Sequence, residues 1–170
     1  VDNYTNSVDL WLKNASYAID CDEKRNILKC LFATSRVALI YGAAGTGKST
    51  LINHISNFWG EKKKIYLANT NPAVDNMRRK VSASNALFTT IHQFIHNLTD
   101  QERLCDILFV DECSTVSNSD MIQLLNKVNT KLIVLVGDIY QIESIMFGNW
   151  FYLAKDFLSL CSVFELTKPY

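Results

Sequence analysis

The chain carries no net charge: 17 lysines and arginines stand against 17 aspartates and glutamates in 170 residues. It therefore lacks the electrostatic footprint of an autonomous DNA-binding domain, and any contact with nucleic acid has to be local. Its five cysteines (Cys21, Cys30, Cys105, Cys113, Cys161) are odd in number and none forms a CxxC pair. That pattern argues against a disulfide framework or a zinc site, and it fits a reduced, cytoplasmic protein. No apolar run is long enough to span a bilayer, and polar residues interrupt every apolar stretch after Val1, so neither a membrane segment nor a signal peptide is expected. His92 and His96 lie four apart on an expected helix, but no HExxH glutamate or nearby third ligand accompanies them. Surface or capping histidines are the expectation there.

What remains is an ordinary globular composition, 48% hydrophobic and 20% charged, sufficient for one domain with one substantial core. Within it, Gly42 to Ser49 reads GAAGTGKS, a complete GxxxxGK[ST] loop directly behind the apolar run Val37 to Tyr41. Behind the loop, Leu51, Ile52, Ile55, Phe58 and Trp59 recur at helical spacing, giving the strand–loop–helix context that phosphate binding needs. In such a loop the glycines at 42, 45 and 47 let backbone amides curl around a polyphosphate. Lys48 reaches the terminal phosphates and the Ser49 hydroxyl coordinates Mg²⁺. Gly42, Ala43, Ala44, Gly45, Thr46, Gly47, Lys48, Ser49 and Thr50 are accordingly the candidate nucleotide-binding residues.

Two lead-in helices are expected first, from the stripes Val8, Trp11, Leu12, Ala15, Ile19 and Ile27, Leu28, Leu31, Phe32. From there β-rich runs near 37–41, 64–68, 106–110, 131–136 and 163–166 alternate with helical patterns. Alternation of this kind predicts an α/β fold, a parallel sheet with helices on both faces. Ile107 to Val110 and Leu132 to Val136 are apolar throughout, as central strands must be. Lys62, Lys63 and Lys64 are expected to form a solvated turn before their strand, and Arg78, Arg79 and Lys80 form the one further basic cluster that could meet a ligand.

Both central strands end in acid, Asp111 and Asp138, at the sheet edge where open α/β folds bind ligands. Asp111 at a strand end can hold Mg²⁺ opposite Ser49, and Glu112 can accept a proton from the water that attacks the γ-phosphate. After the next strand Gly137 permits a sharp exit, and Gln141 could bond the γ-phosphate or that water.

Taken in order, GAAGTGKST, LANTNPAVDNMRR (67–79), FTTIHQFI (88–95), VDECS (110–114), VGDIYQIES (136–144) and FELTKPY (164–170) resemble the motifs of superfamily 1 helicases. TIH before an apolar helix is similar to the RecD-like branch, whereas NPAVDN and DECS look more like the branch of the nonsense-mediated-decay helicase. The resemblance covers nearly everything from residue 36 onward and implies a RecA-like P-loop NTPase domain over 36–170, preceded by lead-in helices over 1–35. It implies ATP and Mg²⁺ as ligands, ATP hydrolysis coupled to 5′ to 3′ movement, and a single-stranded nucleic acid partner, DNA or RNA, with DNA the first expectation. Lys48, Glu112 and Gln141 then take the catalytic roles, Ser49 and Asp111 the metal, and Thr70, Asn71 and Pro72 the single-strand backbone. A helix start with Pro72 near its first position could hold a phosphate through its amides; an ordinary helix cap is the alternative.

The upstream glutamine that reads adenine in this family is missing, its neighbourhood being Glu23, Lys24, Arg25 and Asn26. Motif III continues as Ile142, Glu143, Ser144 instead of prolines. Family motors place ATP between two RecA-like domains, so a second one is expected in the same parent chain, and 1–170 alone is expected to turn over slowly or not at all. A nucleotide-gated interaction module without translocation is the competing reading.

Overall fold

Each apolar run of the sequence becomes a strand whose alternate residues face opposite layers of helix. The computed structural model describes residue 10 and residues 21–34, 36–138 and 150–168. Apart from Leu10, the helical stripe expected from Val8 to Ile19 lies outside these residues, and so does the segment 139–149 with Gln141.

The second expected lead-in helix is α1 (Asp22–Thr34), whose acidic first turn complements the positive end of the helix dipole and which buries Ile27, Leu28 and Leu31. There follow β1 (Val37–Gly42), α2 (Lys48–Phe58), β2 (Lys64–Ala68), α3 (Asn71–Lys80), β3 (Ala86–Thr90) and α4 (Ile91–His96). The chain continues through α5 (Asp100–Arg103), β4 (Ile107–Val110), α6 (Asn118–Lys127), β5 (Leu132–Gly137), α7 (Trp150–Phe157) and β6 (Val163–Leu166). The six strands form one sheet in the order β3-β2-β4-β5-β1-β6, and every neighbouring pair is parallel. The architecture is the α/β one expected from the alternation of elements.

Side-chain alternation sorts the core into two layers. Ala38, Ile40, Tyr66, Ala68, Phe109, Val134 and Val136 pack with α1, α2 and α3, whereas Leu39, Ile65, Leu67, Leu108 and Leu135 pack with α4, α6 and α7. β4 and β5 are buried at every residue, as their unbroken apolar sequences require. Across the first layer Tyr66 stacks between Phe88 (centroids 4.5 Å) and Phe109 (4.7 Å), its register partners on the flanking strands. The Tyr66 hydroxyl meets Ser56 Oγ at 2.6 Å, and burial pushes its pKa up to about 12.

The structure adds one strand and corrects one expected turn. The edge strand β3 has no buried apolar run to announce it: Ala86, Leu87 and Phe88 are half-buried, and the buried pair Thr89 and Thr90 is polar. Lys64 does not lie in a solvated turn: it is fully buried as the first residue of β2, and its Nζ donates to the carbonyls of Gly60, Lys62 (2.8 Å) and Ser84 (3.4 Å). Only Lys62 of that triplet is fully exposed. The exit after Asp138 lies outside the described residues, but Gly137 has a packing reason of its own. A Cβ at Gly137 would lie 2.6 Å from the Phe151 ring and 3.1 Å from Cys113 Sγ, so glycine there answers a close approach of neighbouring side chains.

Because all strands run the same way, the loops after β1, β4 and β5 leave the sheet at one edge. That edge carries Gly42, Asp111 and Asp138. Among the described residues no helix is long and apolar enough to cross a membrane.

Candidate nucleotide site

β1 ends at Gly42, so close to β6 that a Cβ there would lie 2.5 Å from the Leu166 carbonyl oxygen. The loop then turns through left-handed backbone at Gly45 (φ 81°) and Gly47 (φ 82°), where a side chain would be strained. Thr46 is buried, and its Oγ1 donates to the Ala43 carbonyl at 2.9 Å, which holds the turn together. Lys48 Nζ donates to the carbonyls of Gly42 (2.6 Å) and Ala43 (2.8 Å), which keeps its ammonium folded over the loop. α2 begins at Lys48 with no side-chain cap and no acidic residue in its first turn. Its first amides and the positive end of its dipole therefore face outward, an arrangement that attracts an anion.

A cleft of about 530 Å³ opens beside this loop. One wall is the loop itself, with Ala44, Gly45, Gly47, Lys48, Ser49 and Thr50. The base is the sheet edge, with Asp111, Glu112, Gly137 and Asp138. The third side is made by Asn53 of α2 with Asn76 and Lys80 of α3. The fold thus brings the expected phosphate loop and the expected acidic pair to one cleft. Gly42, Ala43 and Thr46 build the loop without lining the cleft.

Asp111 follows β4 and is half-buried; its amide donates to the Leu67 carbonyl at 2.8 Å and its Oδ1 accepts the Glu112 amide at 2.9 Å. Burial raises its carboxyl above the usual carboxylate range, the bond from Glu112 N–H opposes that, the Glu112 charge adds to it, and Lys48 and Lys80 pull it down. A carboxylate so desolvated, in a cleft shared with the Ser49 hydroxyl, is the donor chemistry that suits Mg²⁺, a hard cation that takes oxygen ligands. Glu112 has φ 50° and ψ 33°, left-handed backbone that costs a non-glycine residue roughly 1–2 kcal/mol. The short 3₁₀ turn Cys113–Thr115 fixes it, since Thr115 donates to the Glu112 carbonyl through both N–H (2.9 Å) and Oγ1 (2.8 Å). The exposed Glu112 side chain is thereby directed from the strand end into the cleft.

Other candidates are not part of this cleft. Thr70 caps α3, its Oγ1 accepting the Ala73 N–H at 3.4 Å, with Pro72 in the first turn; Thr70, Asn71 and Pro72 line no part of the cleft. The cap satisfies the Ala73 amide and is compatible with either expectation for this helix start. His92 and His96 are exposed neighbours on α4, ring centroids 4.6 Å apart, and among the described residues no group of three His, Cys, Asp or Glu could hold a metal. Arg78 is less free than a plain solvated face implies: it pairs with Asp75 at 3.0 Å, donates to the Phe88 carbonyl at 3.3 Å and lies over the Phe88 ring. Asn53 and Asn76 went unnoticed in the sequence. The available signal was spacing, since Asn53 stands one helical turn after Ser49, and Asn76 and Lys80, one turn apart, flank the buried stripe of Val74 and Met77.

A sequence family described as an AAA domain matches residues 22–167. An uncharacterized protein of Methanocaldococcus jannaschii is 30% identical over 159 residues, covering 78% of this chain and 13% of that protein. Among solved structures, the Pif1 helicase of Bacteroides sp. in complex with ADP-AlF4 superposes with a TM-score of 0.64 at 18% identity, covering 88% of this chain and 42% of that one. The Pif1 helicase of Candida albicans gives 0.61 at 21% identity, with 89% and 40% covered. A structure of two coordinating Pif1 helicases unwinding forked double-stranded DNA gives 0.62 at 18% identity, with 89% and 44% covered. At these identities the likeness establishes the RecA-like fold. The chain spans less than half the length of each of these relatives.

Proposed function

The chain belongs to the AAA domain family, and from that premise we propose that it is the ATP-binding and ATP-hydrolysing motor domain of a superfamily 1 helicase or translocase. The observation that carries this reading is the meeting of phosphate loop, Asp111 and Glu112 in one cleft. In it, Lys48 exchanges its bonds to the loop carbonyls for bonds to the terminal phosphates, and the amides of the loop and of the α2 start surround the same charge. Ser49 and Asp111 hold Mg²⁺, which when bound neutralises charge on the phosphate oxygens. Glu112 orients a water and takes its proton, the task for which its backbone is held in an unfavourable conformation. Gln141 senses the γ-phosphate, by the resemblance of its motif.

Supporting the strand-coupled reading, the solved relatives of this fold include Pif1 helicases with single-stranded DNA and at forked DNA. We assign single-stranded DNA rather than RNA on that basis, with Thr70, Asn71 and Pro72 as contacts, 5′ to 3′ polarity, and a cytoplasmic location. Residues 36–170 form the first RecA-like unit, and the parent chain carries a second. Equilibrium binding of Mg²⁺-ATP to the chain tests the site directly: wild type binds and Lys48→Ala binds far more weakly. Equal affinity in the two proteins would remove the phosphate loop from its role.

A further inference from the structure

The basic cluster Arg78, Arg79, Lys80 reads as one patch in the sequence, but the fold divides it. Arg78 is committed to Asp75 and to Phe88 on β3, and Arg79 is exposed and lines no part of the cleft. Lys80, on the last turn of α3, belongs to the cleft wall together with Asn76 one turn before it. Its backbone is held there by Asn53, whose Nδ2 donates to the Lys80 carbonyl at 2.6 Å and whose Oδ1 accepts the Ser82 N–H at 2.9 Å. Since Asn53 follows Ser49 by one turn of α2, the end of α3 is fastened to the helix that begins at the phosphate loop.

Charge balance indicates what this placement does. The cleft lining holds three carboxylates (Asp111, Glu112, Asp138) and two cations, Lys48 and Lys80. Without Lys80, Lys48 would be the one side-chain cation of the lining to offset both those acids and an incoming polyphosphate, beside the loop amides and a bound metal.

We propose that Lys80 is a second phosphate-binding cation of the cleft, its ammonium sharing the polyphosphate of a nucleoside triphosphate with Lys48 from the α3 side. The assignment rests on the nucleotide reading of the cleft and adds to it a residue outside the phosphate loop and the acidic pair. Asn53 acts as a positioning residue for it, through the backbone at Lys80 and Ser82.

The test compares equilibrium binding of Mg²⁺-ATP and of inorganic tripolyphosphate to wild type, Lys80→Ala, Lys80→Arg, Arg79→Ala and Lys48→Ala. Loss of one charge-assisted bond at a partly solvated site weakens binding of both ligands about five- to tenfold in Lys80→Ala. Lys80→Arg retains most of the affinity, and Arg79→Ala, which removes the same charge one residue away, stays within about twofold of wild type. Lys80 is exposed, so the variant folds, and a thermal melt matching wild type checks this. Lys80→Ala within twofold of wild type, or an equal loss in Arg79→Ala, overturns the assignment while Lys48→Ala still reports on the loop. Wild type binding no better than Lys48→Ala overturns both readings.

Discussion

Lys48 and Glu112 occupy the same cleft but are asked for different things, and substitution separates them. Removing the Lys48 ammonium takes away phosphate charge, so Lys48→Ala is expected to weaken Mg²⁺-ATP binding by about 100-fold or more, a direct partner of several phosphate oxygens being lost. Glu112→Gln keeps shape and backbone but not the base; nucleotide affinity should stay within about twofold while turnover in the full-length protein falls about 10²–10⁴-fold. Titration calorimetry beside a phosphate-release assay reads both, and an unchanged turnover in Glu112→Gln removes it from its role. At this scale the meeting of the phosphate-loop residues with Asp111 and Glu112 in one cleft was legible, because the loop motif sets residue types at fixed spacing and the acidic pair follows a strand buried at every residue. Asn53 and Lys80 were not legible as cleft residues, since their place depends on how the end of α3 returns to α2. The left-handed backbone of Glu112 has no sequence signal at all; an ordinary residue holds a conformation that glycine usually takes.

Elements are fastened to one another at the amino edge of the sheet by buried or partnered polar groups. Lys64 crosslinks three carbonyls around the turn before β2, so Lys64→Met leaves them without that donor and should cost about 1–3 kcal/mol, seen as a lower urea midpoint. A midpoint unchanged in Lys64→Met would show that water replaces the ammonium. Asp106 ties the starts of three strands, accepting from Lys131 Nζ at 2.8 Å and from the Lys63 amide at 3.1 Å. The Lys131 bond, ahead of an opposing burial effect, holds its carboxyl below the usual value of 3.8. A carboxyl depressed in the folded state contributes stability that is present above pH 3.8 and is lost as pH falls through the lower folded value. Asp106→Asn should therefore be less stable than wild type at pH 7, by about 0.5–1 kcal/mol for a mostly exposed lysine partner, and the two should converge in acid. A difference that persists at pH 2 would assign the effect to packing instead. Strand runs such as Leu132 to Val136 announced themselves by continuous apolarity, whereas β3 did not, because its buried positions are the threonines Thr89 and Thr90.

For the whole molecule, the order of apolar runs and helical stripes was enough to predict a parallel sheet with helices on both faces, and the strand order places the phosphate loop and acidic pair at one edge. The order β3-β2-β4-β5-β1-β6 was not itself readable, since which strands become neighbours is decided by crossover packing rather than by local pattern. The reading of this chain as one half of a motor makes its own prediction: 1–170 alone hydrolyses ATP slowly, and a strand does not accelerate it, because charge stabilisation by a second RecA-like unit is worth roughly 10³–10⁵ in rate in related phosphoryl transfer. Steady-state ATP hydrolysis by the full-length protein, titrated with single-stranded DNA and separately with single-stranded RNA, tests the account most directly. The account predicts at least about tenfold stimulation by DNA, weaker stimulation by RNA, and none in Glu112→Gln; a turnover indifferent to either strand would contradict it.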